Sequence, residues 1–207
     1  MATWSRDTSL LSMTSPLGQD ALIPYDLSAR EQISAPFQFE VRAFSQQGII
    51  DPDKLLYQPV CVKLQQKEGD GVIRYFHGIV QSLSAEGGLT ELRGANLHAY
   101  RMTVVPKLWF LGQTVDCRVF QNKTTVAILT QMFNDAGLTD VTYPPSGSQR
   151  EYTVQFNESD LHFATRLMEE EGYHLRACWA TLWEGTSRRR ISLVRACWSR
   201  ASWFRCP

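Results

Sequence analysis

The sequence lacks the features that direct a protein into or across a membrane. No apolar run approaches the length of about 18 residues that a membrane-spanning helix needs. Residues 1–7 show no basic segment followed by an apolar one, so we expect no signal peptide. Cysteine is scarce, with five in 207 residues, and this small, odd number favours reduced thiols. Together these absences predict a cytoplasmic protein without membrane insertion.

Motifs for metal or nucleophilic chemistry are missing as well. The four histidines form no His-Glu-x-x-His arrangement, and none stands at zinc-ligand spacing from a cysteine. The sequence has no Gly-x-Ser-x-Gly turn, no phosphate-binding glycine loop and no dinucleotide-binding fingerprint. We therefore expect no catalytic residues, no cofactor and no metal site. Cys61 and Cys117 are interpreted as buried or half-buried thiols on strands.

An acidic cluster comes nearest to a catalytic pattern. Glu169, Glu170 and Glu171 follow closely after Glu158 and Asp160, and paired carboxylates carry out glycoside hydrolysis. Consecutive glutamates on a helix point about 100° apart, so they do not converge on one substrate. We interpret the cluster as a solvated helix end. Because acids near a helix C-terminus oppose the helix dipole, we expect a cationic partner or an arginine to face them.

The composition is that of a folded chain with an unusual end. Hydrophobic residues make up 43% and charged residues 20%, which argues against disorder along most of the length. The formal net charge is zero, yet residues 175–207 carry seven arginines and a single acid, Glu184. The same segment holds four of the six tryptophans and three of the five cysteines. The neutral total is therefore no argument for or against a charged partner.

The first hundred residues have the pattern of antiparallel strands. Residues 37–44 alternate apolar and polar side chains, as a half-buried strand does, and residues 60–64 form a second strand. Residues 67–71 and residues 86–88 each predict a turn that closes a hairpin. Strands joined by turns favour an antiparallel barrel or sandwich. The side chains predicted to face inward are those of Phe37, Phe39, Val41, Val60, Val62, Leu64, Phe76, Ile79, Leu92 and Leu97.

Two helices are predicted in the second half of the chain. The first spans residues 124–136 and ends at Gly137, and the second follows the cap residues 157–160 and ends at Gly172. Between them, residues 152–156 alternate like a strand. The apolar faces of the two helices contain Val126, Leu129, Met132 and Phe133 in the first, and Leu161, Ala164, Leu167 and Met168 in the second.

An apolar cluster lies between these two halves. Trp109 and Phe110 follow the largely apolar residues 104–108. The cluster fits a core position or a wall between two subdomains. In a larger assembly it also fits a surface that faces another subunit, because exposed aromatic patches usually mark interfaces.

Five stretches of the sequence, taken in series, resemble a known family. In their order and spacing, over about residues 8–174, they are similar to the N-terminal region of VgrG, the spike protein of bacterial type VI secretion systems. That region is similar in turn to the hub protein of contractile phage tails. Each stretch alone is a weak signal, whereas the series is specific. The stretches are residues 74–80 (RYFHGIV), 100–111 (YRMTVVPKLWFL), 117–123 (CRVFQNK), 152–163 (YTVQFNESDLHF) and 166–172 (RLMEEEG).

The resemblance implies both a fold and an assembly. The family hub is a trimer of β-barrel domains with inserted α/β elements, which stacks on the hexameric Hcp tube, sits on a baseplate and is ejected when the sheath contracts. The expected fold is therefore mainly β with an α/β insertion (α+β), an antiparallel β-barrel of tail-hub type plus two helices. Residues 1–115 are expected to form the first hub β-barrel, and residues 116–174 a partial α/β insertion domain.

The resemblance stops after Gly172. Residues 175–207 depart from the family pattern, and their content of Arg, Trp and Cys resembles an alternative reading frame of a GC-rich gene. We interpret this tail as frameshifted or disordered and expect trypsin to cut first near residues 188–190. The chain is then a truncated hub with impaired trimerisation, because much of the family's trimer contact lies elsewhere. The alternative is a genuine basic, aromatic segment that binds nucleic acid or a membrane.

The function expected from the resemblance is structural. The chain is predicted to be a spike or hub component of the type VI secretion system, cytoplasmic before firing, without enzymatic activity and without nucleic acid. Its expected partners are other copies of itself, the Hcp tube protein and baseplate proteins. Two alternatives stay open. One is a phage-derived tail-hub or baseplate protein. The other is a secreted effector enzyme, which needs converging carboxylates or a cysteine–histidine pair that the sequence does not show.

Overall fold

The structure is a computed structural model, and the chain in it divides into two units. The first unit comprises Met1–Phe110 with Ala177–Arg190, and the second comprises Leu111–Arg176 with Ile191–Pro207. The residues that the structure describes are 9–18, 20–32, 34–45, 48–65, 73–92, 95–139, 141–143, 145, 147–177 and 191–195.

Six strands form one sheet in the first unit. They are β1 (Leu11–Thr14), β2 (Leu22–Arg30), β3 (Gln38–Ser45), β4 (Pro59–Gln65), β5 (Ile73–Leu92) and β6 (Ala95–Val105). Their order is β1-β4-β5-β6-β3-β2, and every neighbouring pair is antiparallel. The two strands at the ends of this order, β1 and β2, also lie close to each other, so the sheet nearly closes. The prediction of an antiparallel barrel is confirmed.

The interior of this barrel is filled by the side chains that the alternation pattern selected. The ring of Phe39 stacks on Phe37 with centroids 4.4 Å apart and meets the edge of Phe76 at 5.0 Å. Leu64 is partly buried against the same core, and the side chain of Leu92 lies outside the described part of the chain. Six of the other predicted inward residues lie in this core: Phe37, Phe39, Val41, Val60, Val62 and Phe76. Ile79 and Leu97 are buried too, but each stands three positions from a core residue of its own strand and so faces the opposite side of the sheet, which makes their inward prediction wrong.

Of the two predicted turns, the first lies outside the described residues, although the hairpin that it closes is confirmed, and the second is wrong. Gln65 stands opposite Ile73, so β4 and β5 form the expected hairpin around residues that lie outside the description. Residues 86–88 instead lie within β5, where the register with β6 shifts between Ala85 and Leu89. They form a bulge, and Gly87 has a φ of 70° that glycine adopts readily. The same local chemistry suits a turn and a bulge, which explains the error.

Among the described residues, two short 3₁₀ helices accompany these strands, Pro52–Lys54 in the first unit and Lys107–Gly112 where the chain passes into the second. The first begins after Asp51, whose carboxylate accepts a hydrogen bond from the backbone N–H of Asp53 at 3.2 Å. Proline at the first position suits this arrangement, because its missing N–H has no partner in a helical first turn.

The second unit is built on a two-stranded antiparallel ribbon in which each strand leads directly into a helix. Strand β7 (Val115–Thr124) precedes α1 (Thr125–Asp135), and strand β9 (Gln149–Ser159) precedes α2 (Asp160–Glu170). Because the second unit adds these two helices to the β-strands, the predicted fold class, mainly β with α/β elements, is confirmed. A second small sheet has the order β10-β11-β8, with β8 (Val141–Thr142), β10 (Tyr173–Ala177) and β11 (Ile191–Arg195).

Side-chain caps explain where the helices begin. The hydroxyl of Thr124 accepts a hydrogen bond from the backbone N–H of Ala127 at 3.2 Å, and that of Ser159 accepts one from His162 at 3.1 Å. Each hydroxyl satisfies an N–H group that has no partner within its own helix.

The helices end where the sequence predicted. Gly137 and Gly172 follow them, each with a φ of 70°. Most of the predicted apolar faces are buried, with Leu129, Met132 and Phe133 on α1 and Ala164, Leu167 and Met168 on α2. Val126 and Leu161, also predicted, are only half-buried.

Little of the tail, residues 175–207, is described. Residues 175–177 belong to β10, and residues 191–195 form β11, which pairs in parallel with β8. The predicted trypsin site at residues 188–190 lies outside the described residues, as does most of the segment interpreted as frameshifted or disordered.

Candidate functional site

The ribbon of β7 and β9 has one face covered by helices. Phe120 on β7 is buried, and its ring stacks on Phe163 of α2 with centroids 5.8 Å apart. Thr153 and Gln155 on β9 face the same way and are buried too. These residues define an inner face that is part apolar and part polar.

Polar contacts hold this inner face. The Gln155 amide donates to the Asp160 carboxylate at 2.7 Å and to the backbone carbonyl of Glu158 at 3.0 Å. The Asp160 carboxylate also accepts a hydrogen bond from Arg118 at 3.2 Å, and Arg118 donates in addition to Asp116 at 2.6 Å. The first residue of α2 is thereby fixed against both strands of the ribbon.

The opposite face of the ribbon is apolar and exposed. Val119 stands directly opposite Val154, and Tyr152 and Phe156 flank Val154 on the same side of β9. The exposed fractions are 54% for Val119, 59% for Tyr152 and 77% for Phe156. We call this surface the outer ribbon face and define it as Val115, Val119, Tyr152, Val154 and Phe156.

The outer ribbon face inverts the expected pattern of a strand. In residues 152–156 the polar side chains Thr153 and Gln155 are buried, whereas the apolar Tyr152 and Phe156 face outward. Exposed clusters of large apolar side chains usually mark a surface that another chain covers. The alternation predicted the strand correctly, but it did not indicate which side the helices cover.

A bulge adapts this surface near its end. Asn157 has a φ of 47°, and the register between the two strands shifts between Asp116 and Arg118. The backbone N–H of Asn157 donates to the Cys117 sulfur at 3.3 Å. Such a bulge turns the side chain beside it, here that of Phe156, relative to the rest of the strand.

The acidic cluster meets the arginines that the sequence led us to expect. Arg150 contacts Glu170 at 2.6 Å and Glu171 at 3.1 Å, and Arg166 contacts Glu170 at 3.1 Å. The hydrogen bond from Arg150 lowers the pKa of the Glu170 carboxyl below its usual value. The carboxylates therefore act as partners of arginine in a surface network.

Glu158 is bound in the same manner. Arg166 donates to its carboxylate at 2.6 Å, and His162 lies 2.6 Å from its other oxygen. The hydrogen bond from Arg166 holds the pKa of Glu158 below its usual value. A glycosidase acid needs a raised pKa, so Glu158 does not fit that role.

The structure does bring one cysteine and one histidine together, which the sequence analysis missed. The Cys61 sulfur lies 3.6 Å from Nε2 of His77 across the β4–β5 pair. The sequence contained a signal for this contact. Residues at equal distances from the centre of a hairpin turn face each other, and both residues stand eight positions from residue 69, the centre of the predicted turn. Among the described residues, no group of three or more His, Cys, Asp or Glu side chains is placed to hold a metal ion.

The Trp109–Phe110 cluster reaches the protein surface. Phe110 is 40% exposed, and its ring lies 5.9 Å from that of Tyr57, which is 54% exposed. Leu108 beside it is fully buried. The cluster is thus anchored in the core by Leu108, and the rings of Phe110 and Tyr57 face solvent.

In the described part of the chain, no helix has both the length and the apolar character needed to span a membrane.

Comparison with known proteins agrees with the family indicated by the sequence motifs. A family model for the phage tail baseplate hub (GPD) matches residues 30–177. The type VI secretion system spike protein VgrG1b of Pseudomonas aeruginosa is 36% identical over 172 residues, which is 82% of this chain and 22% of the relative. The chain thus spans less than a quarter of that relative's length.

Solved structures share the fold. A type VI secretion component from E. coli, which resembles the T4 bacteriophage tail proteins gp27 and gp5, matches with a TM-score of 0.66 at 21% identity, over 88% of this chain and 48% of its own. The 43 kDa tail protein of prophage MuSo2 from Shewanella oneidensis matches with a TM-score of 0.52 at 14% identity, over 85% and 55%. The recognition of a VgrG-like hub from five sequence motifs is confirmed. The chain belongs to the phage tail baseplate hub family, and its relatives include the VgrG spike proteins of type VI secretion.

Proposed function

We propose that this chain is a structural hub component of a type VI secretion system, which stacks on the Hcp tube and is translocated when the sheath contracts. Before firing it resides in the cytoplasm. The family membership and the identity to VgrG spike proteins support this role. Residues 1–115 act as the first hub barrel and residues 116–174 as the insertion domain.

The observation that carries the proposal is the outer ribbon face. A chain that worked alone would place Tyr152 and Phe156 inward and Thr153 and Gln155 outward, since burying apolar surface contributes about 25 cal/mol per Å². The reverse arrangement leaves the large apolar side chains for a partner. We infer that this face is covered in the assembled hub by another copy of the chain, by the tube protein or by the baseplate.

The proposal also assigns no catalysis to this chain. Its carboxylates at Glu158, Asp160 and Glu170 are each bound by an arginine, as described above. Carboxylates bound in this way stabilise the surface of the second unit and are not free to act on a substrate. This agrees with the structural role of the hub family.

Co-sedimentation with the Hcp tube protein tests this function. The full chain and a Phe156→Asp variant are mixed with Hcp and centrifuged, and the self-association of each is measured alone. We expect the unmodified chain to associate with itself or to enter the Hcp pellet, and Phe156→Asp to lose at least one of these interactions. Phe156 is 77% exposed, so the change leaves the core intact.

Ala127→Asp is the matched control. Ala127 is exposed on α1, in the same unit but on the helix side, and an acid in the first helical turn is tolerated. It adds the same charge without altering the outer ribbon face. If both variants assemble like the unmodified chain, or if the unmodified chain stays monomeric and ignores Hcp, the proposal is wrong.

A second candidate is a phage tail hub or baseplate protein. The family model describes a phage tail baseplate hub, and the prophage tail protein shares the fold. Replacing Hcp with a phage tail-tube protein in the same assay separates the two, because a phage hub binds the phage tube in preference to Hcp.

A further inference from the structure

Cys61 and His77 occupy the outer surface of the barrel. On β4 the side chains of Val60 and Val62 are in the core, so Cys61 between them points to the opposite face. On β5 Phe76 is in the core, and His77 next to it points outward in the same way. The two residues are directly paired across the strands, and Cys61 is half-buried.

The contact joins a thiol to a base. Sγ of Cys61 lies 3.6 Å from Nε2 of His77, within reach of a hydrogen bond to sulfur. The shared proton sits either on sulfur, which then donates to Nε2, or on Nε2, which then donates to a thiolate. An adjacent imidazolium attracts a thiolate, and this raises the fraction of the reactive form.

The residues beside the pair on this face include one base. Lys63 stands two residues along β4 on the same outer face, and a cation close to a thiol favours its thiolate. Tyr75 stands opposite Lys63, and its ring stacks on His77 with centroids 6.3 Å apart, which restrains the imidazole. On the other side of β4, Thr14 of β1 is the paired residue and carries no charge.

Cys117 provides a contrast within the same chain. It is exposed, and its sulfur accepts a hydrogen bond from the backbone N–H of Asn157 at 3.3 Å. The residue before it is the acid Asp116, whose carboxylate accepts from the Cys117 backbone N–H at 2.7 Å. Cys117 is therefore more exposed than Cys61, but it lies beside a carboxylate. Comparing the two thiols distinguishes the effect of solvent exposure on reactivity from the effect of activation by a neighbouring base.

We propose that Cys61 and His77 form an activated thiol site that is modified by small electrophiles and low-molecular-weight disulfides. The thiol proton moves to Nε2 of His77, and the sulfur attacks one sulfur of a disulfide R–S–S–R. The Cys61–S–S–R bond forms as the reagent's own S–S bond breaks. The departing thiolate takes the proton from the imidazolium, so the disulfide is the oxidant and no further reagent is needed.

The test measures alkylation of the full-length, native chain by iodoacetamide at pH 7, with each cysteine quantified separately by peptide mass spectrometry. An ordinary thiol is only a few per cent thiolate at this pH, with a pKa of about 8.5. After allowing for the weaker nucleophilicity of a more acidic thiol, we expect His77→Gln to slow alkylation of Cys61 by about threefold or more. His98→Gln, which changes a strand histidine paired with Ser45 and Leu89, leaves the rate unchanged.

A measurement on the unmodified chain guards against misfolding of the variant. Cys61 reacts faster in the native chain than in the same chain unfolded in urea, although folding half-buries it, whereas Cys117 does not. With oxidised glutathione, Cys61 forms the mixed disulfide before Cys117. Slower reaction of native than of unfolded Cys61, or an equal rate in a folded His77→Gln variant, overturns the proposal.

Discussion

Gly78 lies so close to Val104 that a side chain at this position has no space. A Cβ added to Gly78 would stand 2.5 Å from Cγ1 of Val104 and 2.7 Å from the backbone oxygen of Val105. Real Cβ atoms do not approach other heavy atoms this closely, so β5 and β6 would have to move apart. The glycine permits the barrel to pack at the point where Val60 and Val104 both enter its core.

Gly78→Ala is therefore expected to lower the free energy of unfolding by about 1–3 kcal/mol, as overpacking does elsewhere. Urea denaturation followed by circular dichroism measures the change. Gly112→Ala is the matched control, because a Cβ there meets only Leu161, at an ordinary 3.6 Å. Equal effects of the two substitutions would contradict the steric argument.

Phe39→Ala is expected to be more damaging. Phe39 is 1% exposed and contacts the rings of Phe37 and Phe76, so its removal leaves a cavity that costs about 3–5 kcal/mol. The same urea titration measures the loss. Phe156→Ala removes a ring of equal size from an exposed position and is expected to change the stability by less than about 0.5 kcal/mol. A loss below about 1 kcal/mol for Phe39→Ala would place this ring outside the core.

Local patterns predicted the barrel core and the helix ends because each depends on residues close in sequence. Period-2 alternation selects Phe39 and Val41 for the core whatever lies across the sheet. Ser159 and Gly172 mark the limits of α2 through hydrogen bonds and backbone angles within one or two turns. The barrel core and the helix ends can therefore be predicted from short stretches of sequence alone.

The outer ribbon face and the bulge in β5 depend on distant contacts. Alternation shows that Tyr152 and Thr153 face opposite ways, but only the position of α2, with Phe163 against Phe120, decides which of them is covered. Likewise a glycine such as Gly87 suits a turn as well as a bulge, and the register with β6 decides between them. The sequence therefore predicted that these strands exist, but it did not predict which face of β9 is covered or how β5 is aligned with β6.

The contact of Glu158 with Arg166 predicts a pH dependence of stability. Because the pKa of this carboxyl is lowered in the folded chain, folding favours its ionised form. The contribution is fully present above the ordinary glutamate pKa of about 4.3 and is lost as the pH falls through the lowered folded value. The stability difference between the unmodified chain and Glu158→Gln should therefore be largest near pH 6 and shrink towards pH 3.

Urea denaturation at several pH values measures this difference. Glu169→Gln is the control, because Glu169 makes no ion pair with any described residue, and its effect should stay small at every pH. A stability difference for Glu158→Gln that is constant between pH 3 and pH 6 would show that the ion pair contributes nothing to folding.

The purified chain is expected to show no turnover of peptidoglycan, lipid or nucleic acid. A hydrolase acid must hold a proton near neutral pH, whereas Arg166 lowers the pKa of Glu158 and Arg118 binds the carboxylate of Asp160. Release of product from labelled substrates of each class measures the activity. Turnover that disappears in Glu158→Gln, Asp160→Asn or Cys61→Ser would contradict the structural role, provided that circular dichroism shows the variant to be folded.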